Sequence, residues 1–366
     1  RGVIARAVEY LWDRVDRIDI IYVCSNADIA RQNINRLRLS AGHDFARATR
    51  ATLLPIQLQD MARRRVNYVS MTPGTSLEPS GGTGIAEERA LLLAMLRDHW
   101  GLPEKPSTNV FRCGVSAERF EERMRDWLPR QRIDPELHGM FLDDLDALAE
   151  RERGKDTLGL KHRLMRLCDA LPRRDSRLDA AEHEERRAVV GMLRAALGQT
   201  CIKALRPDLV ILDEFQRFKH LLNPKNEEAE LARSLLEYAD ERNGRSEAVR
   251  VLLLSATPYK MYTVSHEDES GDDHYADFIS TYEFLVRHDA TQVSALRGLL
   301  KEYRATIMKL GDGEFERLRQ LKGDLETRLR RVIARTERLA VTQDRSGMLR
   351  ECPSPELSLQ TSEVRH

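Results

Sequence analysis

Asp213 and Glu214 follow directly on the apolar run "LRPDLVIL" (Leu205 to Leu212), so two negative charges leave what reads as a fully buried strand. A carboxylate pair at the carboxyl end of a buried parallel strand can serve phosphoryl chemistry. Asp213 can hold the water shell of a Mg²⁺ ion bound to a triphosphate, and Glu214 can orient and deprotonate an attacking water. The same two residues also fit the first turn of a following helix, where the dipole favours acids. About 40 residues further on, "LLLSATPYK" carries Ser255 and Thr257 past the end of another apolar run. If the two strands are neighbours, hydroxyls there can hydrogen-bond the acid pair and transmit its state. Taken alone, Ser255-Ala256-Thr257 is also an ordinary strand-to-turn exit.

In this order and on these elements, the two stretches resemble the superfamily 2 helicases and translocases. The second motif of that family is DExx, here Asp213-Glu214-Phe215-Gln216, and its third is Ser-Ala-Thr. The resemblance implies ATP and Mg²⁺ as cofactors, with Asp213 as the metal-side carboxylate acting through water. It assigns catalysis to Asp213, Glu214 and Gln216, with Ser255 and Thr257 coupling hydrolysis to movement. "SNADIARQ" (Ser25 to Gln32) is similar to motif Ia of the DEAD-box branch, with Asp28, Ile29, Ala30 and Gln32 on matching positions. Ser25 and Asn26 would then meet a nucleic-acid backbone through a hydroxyl, an amide and the helix amino terminus. Without the other motifs the stretch reads as a capped helix. "TPG", Thr72, Pro73 and Gly74, looks like motif Ib, whose turn presents N–H groups to phosphate.

The departures from the family pattern also carry expectations. Ala27 and Thr75 stand where family members often have arginines, so the grip on a strand is expected to be weaker or to come from Arg31, Arg63, Arg64, Arg65 or basic faces of the helical insertion, each of which also fits a solvated surface charge. Gln216 replaces the final Asp or His, which sets the chain apart from the strict DEAD-box and DEAH-box subgroups. "LRRVIARTERLAV" (Leu329 to Val341) is similar, over a short stretch, to the arginine-rich segment after the first lobe of Swi/Snf-type translocases; it also fits a plain amphipathic helix.

A motor ATPase needs a G-x-x-x-x-G-K-[ST] loop for the phosphates, and no Gly-Lys-Thr or Gly-Lys-Ser occurs in the chain. "SGGTGIAEER" (Ser80 to Arg89) lacks the lysine and reads as a flexible lead into an insertion. In the family the phosphate loop opens the helix before the motif Ia strand. The resemblance therefore implies such a loop upstream of Arg1 and a second RecA-like lobe after His366. The chain opens on Arg1 rather than Met, and a piece of a longer protein is expected.

The elements that must position these residues follow from periodicity. "RGVIARAVEYLWDRV" has Val3, Ile4, Ala7, Val8 and Leu11 at amphipathic helical spacing. "IDIIYVCSN" is a short β-rich run, and "ADIARQNINRLRL" is helical, with Asn26 or Asp28 as its cap. "VNYVSMTPGTS", "LRPDLVILDE" and "SEAVRVLLLSATP" read as three more strands. Their near-continuous apolar character is what a parallel strand covered on both faces requires. Residues 85–200, rich in Leu, Arg and Glu, exceed any ordinary crossover and read as an inserted helical subdomain, with Glu150 to Arg187 as an exposed charged hairpin.

The expected fold is α/β, a RecA-like doubly wound parallel sheet interrupted by a large, mostly helical insertion. Residues 1–84 form the first part of the lobe, 85–200 the insertion and 201–263 the second part. Residues 264–366 are a helical extension and linker toward a second lobe. The expected function is the first motor lobe of an ATP-dependent nucleic-acid helicase or translocase. The alternatives are a catalytically silent RecA-like scaffold or nucleic-acid-binding module, and a nucleotide switch or peptide-handling ATPase.

Composition bounds the partners. Of the 366 residues, Lys+Arg and Asp+Glu number 59 each, so no net field selects a polyanion. The five cysteines form no CxxC pair, which argues against a zinc site or a disulfide framework. No apolar run approaches the ~18 residues of a membrane span. A cytoplasmic location, nucleoid-associated in a bacterium, is expected, with no membrane partner. DNA is favoured over RNA as the track, the second lobe is the intramolecular partner, and the insertion is open to a protein partner.

Overall fold

The structure, a computed structural model, describes residues 2–39, 45–73, 82–152, 159–173, 178–222, 230–242, 245–255, 274–308 and 315–334. Its strands are β1 (Ile18–Val23), β2 (Phe45–Ala48), β3 (Val66–Met71), β4 (Leu209–Asp213), β5 (Ala239–Arg242), β6 (Arg245–Ala248) and β7 (Arg250–Leu254). Five of them make one sheet in the order β2-β3-β1-β4-β7, every pair parallel. β5 and β6 form a separate antiparallel hairpin. Every residue of β1 and β3 is buried, as are Leu209 to Leu212 of β4, which is why these runs lack a polar alternation.

Two strands depart from expectation. "SEAVRVLLL" is not one strand: β6 ends before Val249, whose N–H donates to the Tyr238 carbonyl at 2.8 Å, and Arg250 N–H then turns to the Asp208 carbonyl at 3.0 Å. The chain thus leaves the hairpin and joins the sheet within two residues. β2 has no apolar run to announce it; it is a short edge strand, recruited by its pairing with β3.

Helices α1 (Gly2–Leu11) and α2 (Ala27–Leu37) lay Ile4, Val8, Leu11, Ala30 and Ile34 into one core with Ile18, Ile20, Tyr22 and Ile211 of the sheet. Asn26 caps α2 by accepting from Asp28 N–H at 2.8 Å and Ile29 N–H at 3.3 Å, satisfying two of the donors a helix start leaves unpaired. A short helix, α3 (Leu58–Ala62), leads into β3.

Between β3 and β4 run α4 (Ala86–Trp100), α5 (Glu104–Arg112), α6 (Ala117–Glu122), α7 (Pro135–Glu152), α8 (Leu160–Ala170) and α9 (Ala180–Leu205). α4 is apolar around most of its circumference and buries Ala90 to Leu93, Met95 and Leu96, the mark of a helix enclosed by others. α8 buries Leu160, Leu164, Leu167 and Cys168 and packs on α5 and α9. Of the expected exposed hairpin, α8 is therefore part of a core, while the described residues at 172–173 and 178–187 include none that is buried. α9 is long and apolar enough to cross a membrane by length and composition, and 61% of its apolar window is buried inside the protein. It starts on a reciprocal cap, Asp179 with Glu182 at 2.8 and 2.9 Å.

By contact the chain divides into Arg1–Thr281 and Tyr282–His366. The helical stretch after β3 thus shares a unit with the sheet, and the expected border at residue 200 falls inside α9. This first unit also holds α10 (Glu230–Leu236). α11 (His274–Leu285) spans the division; in the second unit α12 (Ala290–Met308) and α13 (Phe315–Leu329) pack together, joined by Arg317 on Glu302. The Swi/Snf-like stretch lies mostly outside the described residues.

Glu88, wholly buried at the start of α4, fastens these helices to the sheet. Its carboxylate receives Arg50 Nη1 at 3.2 Å, Arg194 Nη2 at 3.1 Å, Ile85 N–H at 2.7 Å and the Thr52 hydroxyl. Arg50 and Thr52 follow β2 and Arg194 belongs to α9, so one carboxylate joins three distant segments. Gly84, at φ +69°, is required here because a Cβ would collide with Arg194 and Glu88. The carbonyls of Gly82 and Gly84 accept from Arg194 and Arg89. The described part of the glycine-rich lead, expected to be flexible, is thus pinned.

At the amino edge of the sheet a second buried acid, Asp19, is held by Arg17 Nε at 2.9 Å and Asn67 Nδ2 at 2.8 Å, while its own N–H donates to Asp208 Oδ2 at 2.8 Å. Burial, outweighing Arg17 and Asn67, raises its pKa from 3.8 to about 6. Between those values the folded chain holds a proton that the unfolded chain has lost, so this group's contribution to stability declines as pH rises through the window. The melting temperature of Asp19→Asn relative to the parent is expected to increase from about pH 4 to pH 7; a difference that does not vary with pH overturns the assignment. Glu88→Ala is expected to cost about 3–5 kcal/mol in denaturant unfolding, because it leaves the buried Arg194 and the half-buried Arg50 without this carboxylate. A loss below about 1 kcal/mol would show the network to be dispensable.

Candidate functional site

β1 lies between β3 and β4, with β7 on the far side of β4. The chain winds from β1 toward β3 and then crosses to β4, so its direction reverses between β1 and β4, where open α/β sheets leave a crevice at the carboxyl ends of the strands. Ser25 and Asn26 follow β1, Thr72 and Pro73 follow β3, Asp213 to Gln216 close β4, and Ser255 follows β7. Val23 is level with both Met71 and Leu212, and Asp213 is level with Leu254. Stretches up to about 230 residues apart in sequence thus meet along one edge, a strand spacing of about 4.8 Å separating each from the next. Gly74 and Thr257 lie outside the described residues.

Asp213 is half-buried, and its Oδ2 accepts from the Tyr22 hydroxyl. That hydroxyl in turn accepts from Asn33 Nδ2 of α2 at 2.8 Å. Burial, reinforced by the bond to Asp213, pushes the Tyr22 phenol well above its usual range, so it remains a donor. Glu214 is exposed and sits at φ +54°, a left-handed backbone that costs a non-glycine residue roughly 1–2 kcal/mol. Strain of this kind collects where the surrounding structure dictates a side-chain position. Arg217, one turn on, reaches Glu214 Oε2 at 3.3 Å and donates to Ser25 Oγ at 3.1 Å. Cys24 is buried beneath them; burial, with Asp213 and Glu214 adding, pushes its thiol up.

Neither Tyr22, Asn33 nor Arg217 was singled out by the sequence. The signals were a lone hydroxyl in the apolar run "IDIIYV", an amide three residues after the core-facing Ala30, and a cation three residues after an acid. Asn26 spends its side-chain oxygen on the helix cap, leaving its amide N–H₂ for a ligand. Arg31 is exposed and pairs with Asp28 at 2.7 Å. Arg63, Arg64 and Arg65 precede β3 and so stand at the opposite edge of the sheet. Arg65 donates to the Asp16 carbonyl at 2.8 Å and lies over the Trp12 ring at 5.1 Å, so these three do not join Ser25 in gripping a strand. Gln216 buries its side-chain oxygen without a hydrogen-bond partner among the described residues.

A cavity of about 490 Å³ lies at that amino edge, lined in part by Asp16, Arg17, Asp19, Lys203 and Arg206. Arg17 there is committed to Asp19 and to the Ala204 and Leu205 carbonyls, so the space is walled by structural pairs. The carboxyl edge has the better chemistry. Among the described residues no three His, Cys, Asp or Glu side chains converge on a metal position. Mg²⁺ needs no such cage, being held by one or two carboxylates with water and phosphate completing its shell. Asp213 and Glu214 fit that requirement: one is anchored through a single oxygen and the other faces solvent.

No protein-family model, no curated protein and no solved structure matches this chain. The site therefore stands on its own geometry. Because the left-handed backbone at Glu214 suits Asn at little cost, Glu214→Asn is expected to unfold at an equal or higher denaturant midpoint. A loss above about 1 kcal/mol would show that Glu214 is placed for stability rather than for chemistry.

Proposed function

We propose that this chain is the first motor lobe of an ATP-dependent nucleic-acid helicase or translocase of superfamily 2, built on a RecA-like sheet with a helical insertion. The observation that carries the reading is the adjacency of β1, β4 and β7, which aligns Ser25, the Asp213-Glu214 pair and Ser255 on one edge. On this reading ATP would supply the transferable phosphoryl group, and Mg²⁺ would neutralise the charge on its oxygens. Asp213 orients the metal's water shell from its anchored carboxylate. Glu214 accepts the proton of the attacking water, and its exposure keeps it accessible to that water. Ser255, one residue beyond the partner of Asp213, is placed to report the state of the acid pair to a second lobe. Ser25, the Asn26 amide, Thr72 and Pro73 supply the surface that tracks a nucleic-acid backbone, with DNA favoured over RNA, in a cytoplasmic setting.

A catalytically silent RecA-like scaffold is the second reading, favoured by the lack of Gly-Lys-Ser or Gly-Lys-Thr within these 366 residues. ATP hydrolysis by the full-length protein, with and without single-stranded DNA, double-stranded DNA and RNA, separates the two. On the motor reading one polynucleotide raises turnover, and Glu214→Gln lowers it by about 10²–10⁴-fold, the usual worth of a general base, while ATP still binds. Absence of turnover under every condition supports the scaffold. Turnover that survives Glu214→Gln removes the assignment of the base.

A further inference from the structure

Asp213 is held by a buried group from outside its own segment, whereas the exposed Glu214 is met by Arg217 of its own turn. Asp213 Oδ2 is taken by the Tyr22 hydroxyl from the neighbouring strand, and the acceptor side of that hydroxyl is taken by Asn33 from α2 at 2.8 Å. The chain of donors runs in one direction, Asn33 to Tyr22 to Asp213. A phenol can rotate its proton, but here the incoming Asn33 N–H leaves only the Asp213 direction for it. Tyr22 is 3% exposed, so its ring does not move to follow another partner. Asp213 Oδ1 has no protein hydrogen bond among the described residues, and it is the oxygen left for a ligand. α2, which supplies Asn33, is the helix whose capped start carries Ser25 and Asn26.

We propose that Tyr22, oriented by Asn33, is a positioning residue that fixes the rotamer of Asp213 so that its free oxygen meets the water shell of the divalent cation. It thereby ties that carboxylate to the placement of α2. The inference deepens the motor reading and rests on it. Outer partners of this kind typically alter metal affinity 10–100-fold when lost. No covalent step is involved: Tyr22 keeps its proton throughout, donating it to Asp213 while accepting from Asn33.

The test is Mn²⁺ binding to the full-length protein in the presence of a non-hydrolysable ATP analogue, read by the electron paramagnetic resonance of free Mn²⁺. Tyr22→Phe retains the ring and its packing, and its melting temperature reports whether the fold is intact. The expected result is an Mn²⁺ dissociation constant raised about 10-fold, the lower end of the range for outer partners. Asn33→Ala should shift it in the same direction by a smaller factor, and Asp213→Ala should abolish the site. An unchanged constant in Tyr22→Phe, with binding lost in Asp213→Ala, overturns the positioning role and leaves the motor reading standing. Mn²⁺ binding that is absent in the parent, or indifferent to Asp213→Ala, overturns the metal site itself and this inference with it.

Discussion

The parallel pairing of β1 with β4 is the constraint on which the rest depends. The two strands are separated by almost two hundred residues of chain, yet Ile20 to Val23 run level with Leu209 to Leu212 and all eight are buried. A strand buried on both faces cannot carry charge along its length, since an unpaired buried carboxylate costs several kcal/mol. Charge is therefore confined to the strand ends. At the amino ends it is neutralised internally, Asp19 by Arg17 and Asn67. At the carboxyl ends it is partly released to solvent, and that is where Asp213, Glu214 and Ser25 collect.

The two edges of the sheet differ in how completely their buried or half-buried acids are engaged. Arg17 and Asn67 engage both oxygens of Asp19, Asp208 accepts from the Asp19 N–H, and Arg17 also caps the carbonyls at the end of α9, while the buried Asn67 Oδ1 has no hydrogen-bond partner among the described residues. At the other edge Asp213 has one anchored oxygen, Glu214 sits in a strained backbone, and the amide of Asn26 is left over from its cap. An acid with both oxygens engaged internally rigidifies a fold; one with a single oxygen engaged has bonding capacity for a ligand. The asymmetry separates the cavity at the amino edge, walled by paired side chains, from the carboxyl edge, where Asp213 keeps one oxygen unengaged among the described residues.

The helical stretch between β3 and β4 is integrated with the sheet rather than appended to it. Glu88 reaches Arg50 and Thr52 beyond β2 as well as Arg194 in α9, and α9 delivers the chain directly into β4. α4 and α9 are thus tied to Arg50, beyond the carboxyl end of β2, and to the start of β4 at the amino edge. Buried ion pairs of this kind contribute little net stability, but they fix register, because each partner has only one place to go.

Much of this molecule could be read from residue order alone, and the rest could not, for reasons that are local in one case and non-local in the other. The apolar runs of β1, β3 and β4, the cap at Asn26 and the acid pair at a strand exit depend on short-range patterns, and a chain of any topology would display them. "SEAVRVLLL" misleads because β propensity is uniform across a break that only the carbonyls of Tyr238 and Asp208 create. Within the Glu150 to Arg187 stretch α8 misleads, because its charges mask a leucine face that needs α5 and α9 to bury it. Arg63 to Arg65 look like a phosphate grip in sequence and are removed from that role by the direction of β3, which puts them at the wrong edge. Tyr22, Asn33 and Arg217 acquire meaning only when β1 pairs with β4, since a hydrogen bond between residues 191 apart has no signature in either segment. Local patterning decides which stretches become strands and helices; which side chains touch is decided by strand order, because packing and not propensity selects the neighbours.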